Sequence, residues 1–190
     1  MFRVSTYMDL LSIINIKLAA LTIIGQVFIT MAILYWVFGR KKYPAMQIFF
    51  ARYGLLLAFI TALAATVSSL FYSEVVGFEP CNLCWFQRIF MYPLVIILGL
   101  ALFRKDLRAV TYGLVLSGIG FLITLYHNYI YYMNQGLAAN CDFGGTSVSC
   151  IKRYVFEFGY ITIPLMSLTA FALIIIFLLF VRKNIQKGAL

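Results

Sequence analysis

The chain has 190 residues, of which 64% are hydrophobic and 11% charged, and its mean hydropathy is +0.97. This composition excludes a soluble globular domain and is typical of an integral membrane protein. The net charge of +9 does not require a nucleic-acid partner, because the basic residues are concentrated in a few connections between apolar segments.

Five apolar segments are candidates for membrane spans: 18–38, 51–71, 89–103, 110–132 and 161–181. At about 1.5 Å rise per residue, the first is long enough to cross the hydrocarbon core of a bilayer. The third reaches that length only if its helix begins near Cys84. Small residues in the fourth, Gly113, Gly118 and Gly120, predict close contacts with a neighbouring helix. The chain is therefore expected to be an all-α membrane protein with five spans.

The N-terminal region is predicted to stay on the protein. Its apolar run is too long for the hydrophobic part of a signal peptide and ends in a basic segment without a small-residue cleavage site. Residues 8–16 mix polar and apolar side chains, a pattern that suits a short interfacial helix before the first span.

The distribution of charge predicts the orientation. Ten basic residues and one acid, Asp106, lie in segments 39–52, 104–109 and 182–190. The N-terminal region and the connections 72–88 and 127–160 together hold five basic and five acidic residues. By the positive-inside rule, the N-terminus lies outside and the C-terminus in the cytoplasm.

All four cysteines then lie on the extracytoplasmic side, Cys81 and Cys84 in one connection and Cys141 and Cys150 in another. Such pairs form disulfides or cycle through them outside the cytosol. Two structural disulfides would satisfy the same placement, although the short ring of Cys81 and Cys84 gives little stabilisation. Zinc fits less well, because the second pair lacks knuckle spacing and a nearby histidine, and Trp85 excludes c-type haem. We predict no metal.

The local sequence predicts that Cys84 is the activated thiol. A helix that begins at or just before Cys84 places its sulfur near unpaired N–H groups and the positive end of the helix dipole. Arg88 follows four residues later on the same face, where its guanidinium would stabilise a thiolate. An arginine at this position also suits contact with lipid headgroups, so both roles remain open.

The pattern Cys-x-Leu-Cys-x-x-Gln-Arg at 81–88, followed by an outer loop with two cysteines, resembles the DsbB family of membrane disulfide-forming oxidoreductases. The stretch 158–164 is most similar to the shorter BdbC-type branch of Gram-positive bacteria. The resemblance covers roughly residues 50–182. It implies a four-helix redox domain over 46–190, to which 1–45 add an interfacial segment and one extra transmembrane helix.

The resemblance also implies a relay of four catalytic cysteines. Cys141 and Cys150 match the pair that accepts electrons from an extracytoplasmic DsbA-like thioredoxin-fold thiol oxidase, which would attack Cys141. Cys81 and Cys84 match the pair that passes electrons to a membrane quinone, menaquinone or ubiquinone, with Cys84 next to the quinone ring.

Three further residues match cofactor-binding positions of the family. Arg88 corresponds to the arginine that supports the contact between Cys84 and the quinone, and His127 corresponds to a position associated with quinone binding. Taken alone, His127 also fits an aromatic belt, because tyrosines surround it at the predicted membrane surface. Gln87 fits the motif, but its chemistry is not evident from the sequence.

The expected function is therefore that of a quinone-dependent protein-disulfide oxidoreductase, which lies in the cell membrane and supports disulfide-bond formation in exported proteins. A disulfide-stabilised membrane scaffold or transporter subunit is an alternative that needs no redox turnover. A vitamin K epoxide reductase-like protein also couples a CxxC to a quinone, but its redox CxxC lies late in the bundle. Here the CxxC lies between the second and third of five spans.

Overall fold

The computed structural model describes residues 2–39, 44–133, 150 and 153–186. In these residues the chain forms five α-helices: α1 (Phe2–Leu34), α2 (Pro44–Leu70), α3 (Asn82–Arg104), α4 (Ala109–Met133) and α5 (Ile163–Gln186). Two π-helical turns, Tyr35–Gly39 and Phe71–Val75, extend α1 and α2. All five helices include a segment long and apolar enough to cross a membrane, which confirms the predicted all-α fold with five spans.

Helices α2, α3, α4 and α5 pack around one apolar core, in which Leu94, Leu98, Phe171, Ile174 and Leu178 are completely buried. Helix α5 lies between α2 and α4, and α3 contacts both of these helices. Because each backbone N–H and C=O can pair within its own helix, apolar side chains can face lipid on the outside of the bundle.

Close approach of α4 to its neighbours depends on two of the three predicted glycines. Gly113 lies against Leu98 and Leu178, and Gly120 lies against the ring of Phe171. The prediction for Gly118 is wrong, because a Cβ added there would have no neighbour within 4 Å. Gly118 is off the buried face of α4, so it does not contribute to packing.

Helix α1 runs without a break from Phe2 to Leu34 and packs against α5. The segment 8–16, which was predicted to form a short interfacial helix before the span, is continuous with it, because it includes neither glycine nor proline to interrupt the helical hydrogen bonds. Its position at the membrane surface stays a prediction. Asn15 is buried and accepts a hydrogen bond from the Tyr72 hydroxyl at 2.8 Å.

The CxxC and the basic connection after α3 lie at opposite ends of the bundle. Helix α3 begins directly after Cys81 and ends 23 residues later at Arg104, a length of about 34 Å. The turn that follows contains Lys105 and Arg108. This separation agrees with the predicted orientation, in which the basic end faces the cytoplasm; the orientation itself stays a prediction, as does the division at residue 45.

Candidate active site

The start of α3 fixes the relative positions of Cys81 and Cys84. Cys81 is the N-cap residue, with an extended backbone (φ −70°, ψ 169°), and its carbonyl accepts the Trp85 N–H at 3.1 Å. The helix therefore begins two residues before Cys84, close to the predicted start. This first turn places the Sγ atoms of Cys81 and Cys84 3.2 Å apart.

Cys150, in the connection between α4 and α5, lies beside Cys81 and Cys84. It is buried, and its side chain contacts the Cys81 thiol. Nε2 of His127 on α4 lies 3.2 Å from the carbonyl oxygen of Cys150 and 3.9 Å from Sγ of Cys81. The structure thus brings three of the four predicted cysteines together with the predicted histidine. Cys141 lies outside the described residues.

A stack of aromatic rings joins the connection between α2 and α3 to the connection between α4 and α5. Phe78, from the connection that carries the CxxC, stacks on Tyr72 at 5.7 Å and on Tyr154 at 4.4 Å between ring centroids. The Tyr154 hydroxyl also donates to the carbonyl oxygen of Glu79 at 3.3 Å. Because Tyr154 follows Cys150 by four residues and Glu79 precedes Cys81 by two, these contacts hold the two cysteine-bearing segments against each other.

The stretch at 158–164 forms the turn that leads into α5. Phe158 and Gly159 both have positive φ, 52° and 80°, and the backbones of Glu157 and Ile161 exchange two hydrogen bonds across them. The isolated bridge between Glu157 and Ile161 is the only β pairing in the described part of the chain. Asn128 on α4 donates to the Pro164 carbonyl at 3.0 Å, which fixes the end of this segment beside His127.

Gln87 orients His127. Both side chains are buried, and Nε2 of Gln87 lies 2.8 Å from Nδ1 of His127. With the Gln87 amide as donor, Nδ1 is the acceptor and the ring proton is on Nε2, which faces Cys81 and Cys150. The sequence did not reveal this role. A signal was present, because Gly113, Ser117, Gly120, Thr124 and His127 share the buried face of α4 at helical spacing.

Arg88 lies in the wall of the same site, but its hydrogen bonds go to α2. Its Nε donates to Oγ of Ser69 at 3.0 Å, and Nη2 donates to the Ser69 carbonyl at 3.2 Å. The guanidinium also lies 5.2 Å from the centroid of the exposed Trp85 ring. Its predicted support of a Cys84 thiolate stays a prediction.

The structure points to Cys81 as a thiolate. Contact with the Cys150 thiol, followed by contact with the Cys84 thiol, holds the pKa of Cys81 well below its ordinary range, and His127 acts in the same direction. Burial opposes these effects but does not outweigh them. The sequence predicted an activated thiol only at Cys84, because helix position and the spacing to Arg88 are local features. The neighbours of Cys81 from α4 and from the connection between α4 and α5 are distant in the chain.

A cavity of about 570 Å³ extends from this cluster into the bundle. Cys81, Cys84, Gln87, Arg88 and His127 line it together with apolar side chains from α1, α2, α3 and α5. Such a combination suits a ligand with a polar, redox-active head and an apolar tail. The residues present therefore fit a membrane quinone.

The cluster also has the donor atoms of a partial metal site. Sγ of Cys81, Sγ of Cys84 and a ring nitrogen of His127 lie within 4.8 Å of one another. Thiolate and imidazole are ligands that zinc prefers, so the histidine that the sequence did not place near the cysteines is in fact adjacent. The expectation that the protein works without a metal stays a prediction.

Comparisons with known proteins identify the family of this chain. The sequence model of the family described as disulfide bond formation protein DsbB matches residues 51–181. The SPbeta prophage-derived disulfide bond formation protein B of Bacillus subtilis is 48% identical over 119 residues, 63% of this chain and 78% of that protein. Disulfide bond formation protein C of Bacillus subtilis is 43% identical over 129 residues, 65% of this chain and 88% of that protein.

A probable disulfide formation protein of Oceanobacillus iheyensis is 44% identical over 138 residues, 70% of this chain and 92% of that protein. No solved structure is a significant match. The family match covers more than half of the chain, including all four cysteines and helices α3 and α4 completely. The chain therefore belongs to the DsbB family of disulfide bond formation proteins, and it is a helical membrane disulfide oxidoreductase.

Proposed function

We propose that the protein reoxidises an extracytoplasmic DsbA-like thioredoxin-fold thiol oxidase and passes the electrons to a membrane quinone, which supports disulfide-bond formation in exported proteins. The position of Cys81 supports this proposal most strongly. Its thiol contacts both the Cys84 thiol, at 3.2 Å, and the Cys150 side chain. One sulfur in reach of two others is the arrangement that successive thiol–disulfide exchange requires.

The relay begins with Cys141–Cys150 and Cys81–Cys84 as disulfides. A thiolate of the reduced partner attacks Cys141, which forms a mixed disulfide and releases Cys150 as a thiolate. Cys150 then attacks Cys81, so that a Cys81–Cys150 disulfide forms and Cys84 leaves as a thiolate. Each exchange breaks one S–S bond and forms another, so no electron is lost.

The second half of the relay restores the outer pair. The partner's second thiolate resolves the mixed disulfide, and the partner leaves oxidised while Cys141 is freed. Cys141 then attacks Cys150, which re-forms Cys141–Cys150 and releases Cys81. A bound quinone would accept the two electrons that the Cys81 and Cys84 sulfurs give up, together with two protons released when the partner's dithiol is oxidised. With those electrons removed, the Cys81–Cys84 disulfide forms again.

The neighbouring residues act on the sulfur that carries charge at each step. Nε2 of His127 donates toward Cys81 while Gln87 holds the ring in place. The Arg88 guanidinium, held by Ser69, contributes positive charge to the cavity wall that Cys84 also lines. These groups stabilise thiolates as leaving groups, which speeds exchange.

The proposal is tested with the full chain in proteoliposomes, a reduced DsbA-like thioredoxin-fold protein as the dithiol, and short-tail ubiquinone or menaquinone as the acceptor. Free thiols of the partner and the ultraviolet absorbance of the quinone are followed together. We expect one quinone to be reduced for each partner disulfide formed. Cys81→Ser, Cys84→Ser and Cys150→Ser should each abolish coupled turnover. Ile96→Ala, at a side chain that is 64% exposed on the outside of the bundle, is the control and should turn over normally.

Covalent trapping gives a second readout that does not depend on turnover. In Cys84→Ser the free Cys81 thiolate can attack Cys150 of the Cys141–Cys150 disulfide and release Cys141, so a Cys81–Cys150 disulfide should accumulate and be found by mass spectrometry of non-reduced peptides. The relay would be contradicted if Cys84→Ser turned over like wild type, or if Cys81 formed no disulfide with another cysteine of the protein. A scaffold stabilised by two disulfides would give no quinone reduction at all.

The proposed location is the cell membrane, with the cysteines on the extracytoplasmic side. The charge distribution supports it, because the connection with Lys105 and Arg108 lies at the end of the bundle away from Cys81 and Cys84. In intact cells that express the chain with its four native cysteines replaced by serine, a membrane-impermeant maleimide should label cysteine introduced at Glu79 and leave cysteine introduced at Arg108 unlabelled. The reverse labelling would overturn the orientation.

A further inference from the structure

Helix α1 forms part of the cavity wall although it lies outside the family match, which begins at residue 51. Leu18, Thr22, Gly25 and Phe28 follow one another at helical spacing and all line the cavity. The Thr22 hydroxyl donates to the Leu18 carbonyl at 2.8 Å, so its hydrogen bond is made within the helix. The surface that α1 presents to the cavity is therefore apolar.

Specific polar contacts hold α1 in this position. Asn15 accepts from Tyr72 on the turn after α2, and Oε1 of Gln26 accepts from the Tyr160 hydroxyl at 2.9 Å. At Gly25 the helix comes so close to α5 that an added Cβ would lie 3.1 Å from the side chain of Thr169. Helix α1 is thus a fixed part of the cavity.

The exposed part of the cavity lining shows where it opens. Three large apolar side chains line the cavity and are also half or more exposed: Leu21 at 58%, Ile24 at 64% and Ile60 at 50%. The first two are on α1 and the third is on α2. The cavity therefore opens sideways between α1 and α2, toward the space that lipid occupies.

We infer that α1 and α2 form a lateral channel for the isoprenoid tail of the quinone, and that α1 adds a tail-binding wall that the matched family region lacks. The quinone tail is the expected occupant because the channel is continuous with the site of the thiols: Cys81 and Cys84 line the polar end of the same cavity. A redox-active head placed at these thiols must send its tail along the apolar part. This inference rests on the proposed function, since it concerns the same site.

Photolabelling tests the channel without any substitution. The wild-type chain in liposomes is incubated with a quinone that has a diazirine in its isoprenoid tail, irradiated and digested. We expect label on peptides that contain Leu21, Ile24 or Ile60, and we expect unlabelled menaquinone to compete it away. Label found only on α3 and α4 would overturn the inference. If the quinone does not bind at all, the proposed function fails first, so the two failures are distinguishable.

A matched pair of variants tests the α1 wall by equilibrium binding. Thr22 lines the cavity and is 8% exposed, so Thr22→Phe places a large ring in the cavity. Val27 is 57% exposed and does not line the cavity, so Val27→Phe makes a similar enlargement outside it. We expect Thr22→Phe to weaken binding of a long-tail menaquinone by about tenfold, the effect of roughly 1.4 kcal/mol of steric cost, and to leave a tail-less quinone unchanged. Val27→Phe should bind both like wild type.

Two milder substitutions keep the test informative if Thr22→Phe does not fold. Thr22→Leu should produce a smaller loss for the long-tail quinone only. Thr22→Val should bind like wild type, because the hydroxyl is used within α1 and not by the ligand. Equal weakening of the long-tail and tail-less quinones by Thr22→Leu would overturn the assignment of α1 to the tail.

Discussion

Gly120→Ala tests how tightly α4 packs against α5. A Cβ added at Gly120 would lie 2.3 Å from Cε1 and 2.4 Å from Cζ of Phe171, where ordinary contacts are 3.4–4 Å. Phe171 is 0% exposed, so its ring is enclosed by the core and the two helices must separate. Overpacking of this kind costs about 1–3 kcal/mol.

Gly118→Ala is the matched control, because it is two residues away on the same helix and an added Cβ would meet nothing within 4 Å. Both substitutions gain the same helix propensity, about 1 kcal/mol, so the difference between them isolates packing. Thermal unfolding of the purified protein in detergent measures this difference. Gly120→Ala should unfold at the lower temperature, by roughly 2–4 °C for each kcal/mol. Equal unfolding temperatures for the two variants would refute the packing argument.

Three further predictions concern the site. In the fully reduced protein, the lowered pKa of Cys81 should keep this residue a thiolate well below about pH 8.5, the ordinary pKa of a cysteine. The difference in ultraviolet thiolate absorbance between wild type and Cys81→Ser measures this. Because the pKa of Cys81 is lower in the folded protein than in the unfolded chain, the Cys81 thiolate stabilises the fold fully above the unfolded pKa, and this stabilisation is lost as the pH falls. Wild type should therefore lose more thermal stability on acidification than Cys81→Ser. Gly159→Ala, at φ 80°, should cost about 1 kcal/mol in thermal unfolding through backbone strain, and an unchanged unfolding temperature would contradict the turn geometry. Gln87→Leu leaves Nδ1 of the buried His127 without its partner and should lower the free energy of unfolding by about 1–3 kcal/mol. It should also slow formation of the Cys81–Cys150 disulfide in rapid-quench experiments. Wild-type stability and a wild-type rate would exclude the orienting role of Gln87.

The sequence was sufficient for the features that depend on local pattern. Apolar length predicted all five helices, and the length needed to cross a bilayer placed the start of α3 near Cys84, within two residues of where the structure has it. The partner of Asn15 on α1 could not be predicted, because local pattern does not contain contacts with distant segments. In the structure Asn15 is satisfied by Tyr72, which is 57 residues away in the chain.

The chemistry of the cluster depended on contacts that local pattern does not contain. Helix position and the spacing to Arg88 favoured Cys84 as the activated thiol. In the structure the pKa of Cys81 is lowered, because Cys150 and His127 from other segments lie beside it. The aromatic stack of Tyr72, Phe78 and Tyr154 that aligns those segments has no regular spacing in the sequence. For the same reason, Gln87 was recognised only as part of a motif.

The location of the thiol cluster at one end of the bundle has an energetic consequence for the proposed relay. Oxidation of the partner's two thiols releases two protons, and reduction of a quinone at Cys81 and Cys84 consumes two protons at the same end. No net charge therefore crosses the bilayer in a turnover. The reaction should neither generate nor use a membrane potential, so its rate in energised proteoliposomes should be unchanged when an ionophore collapses the potential.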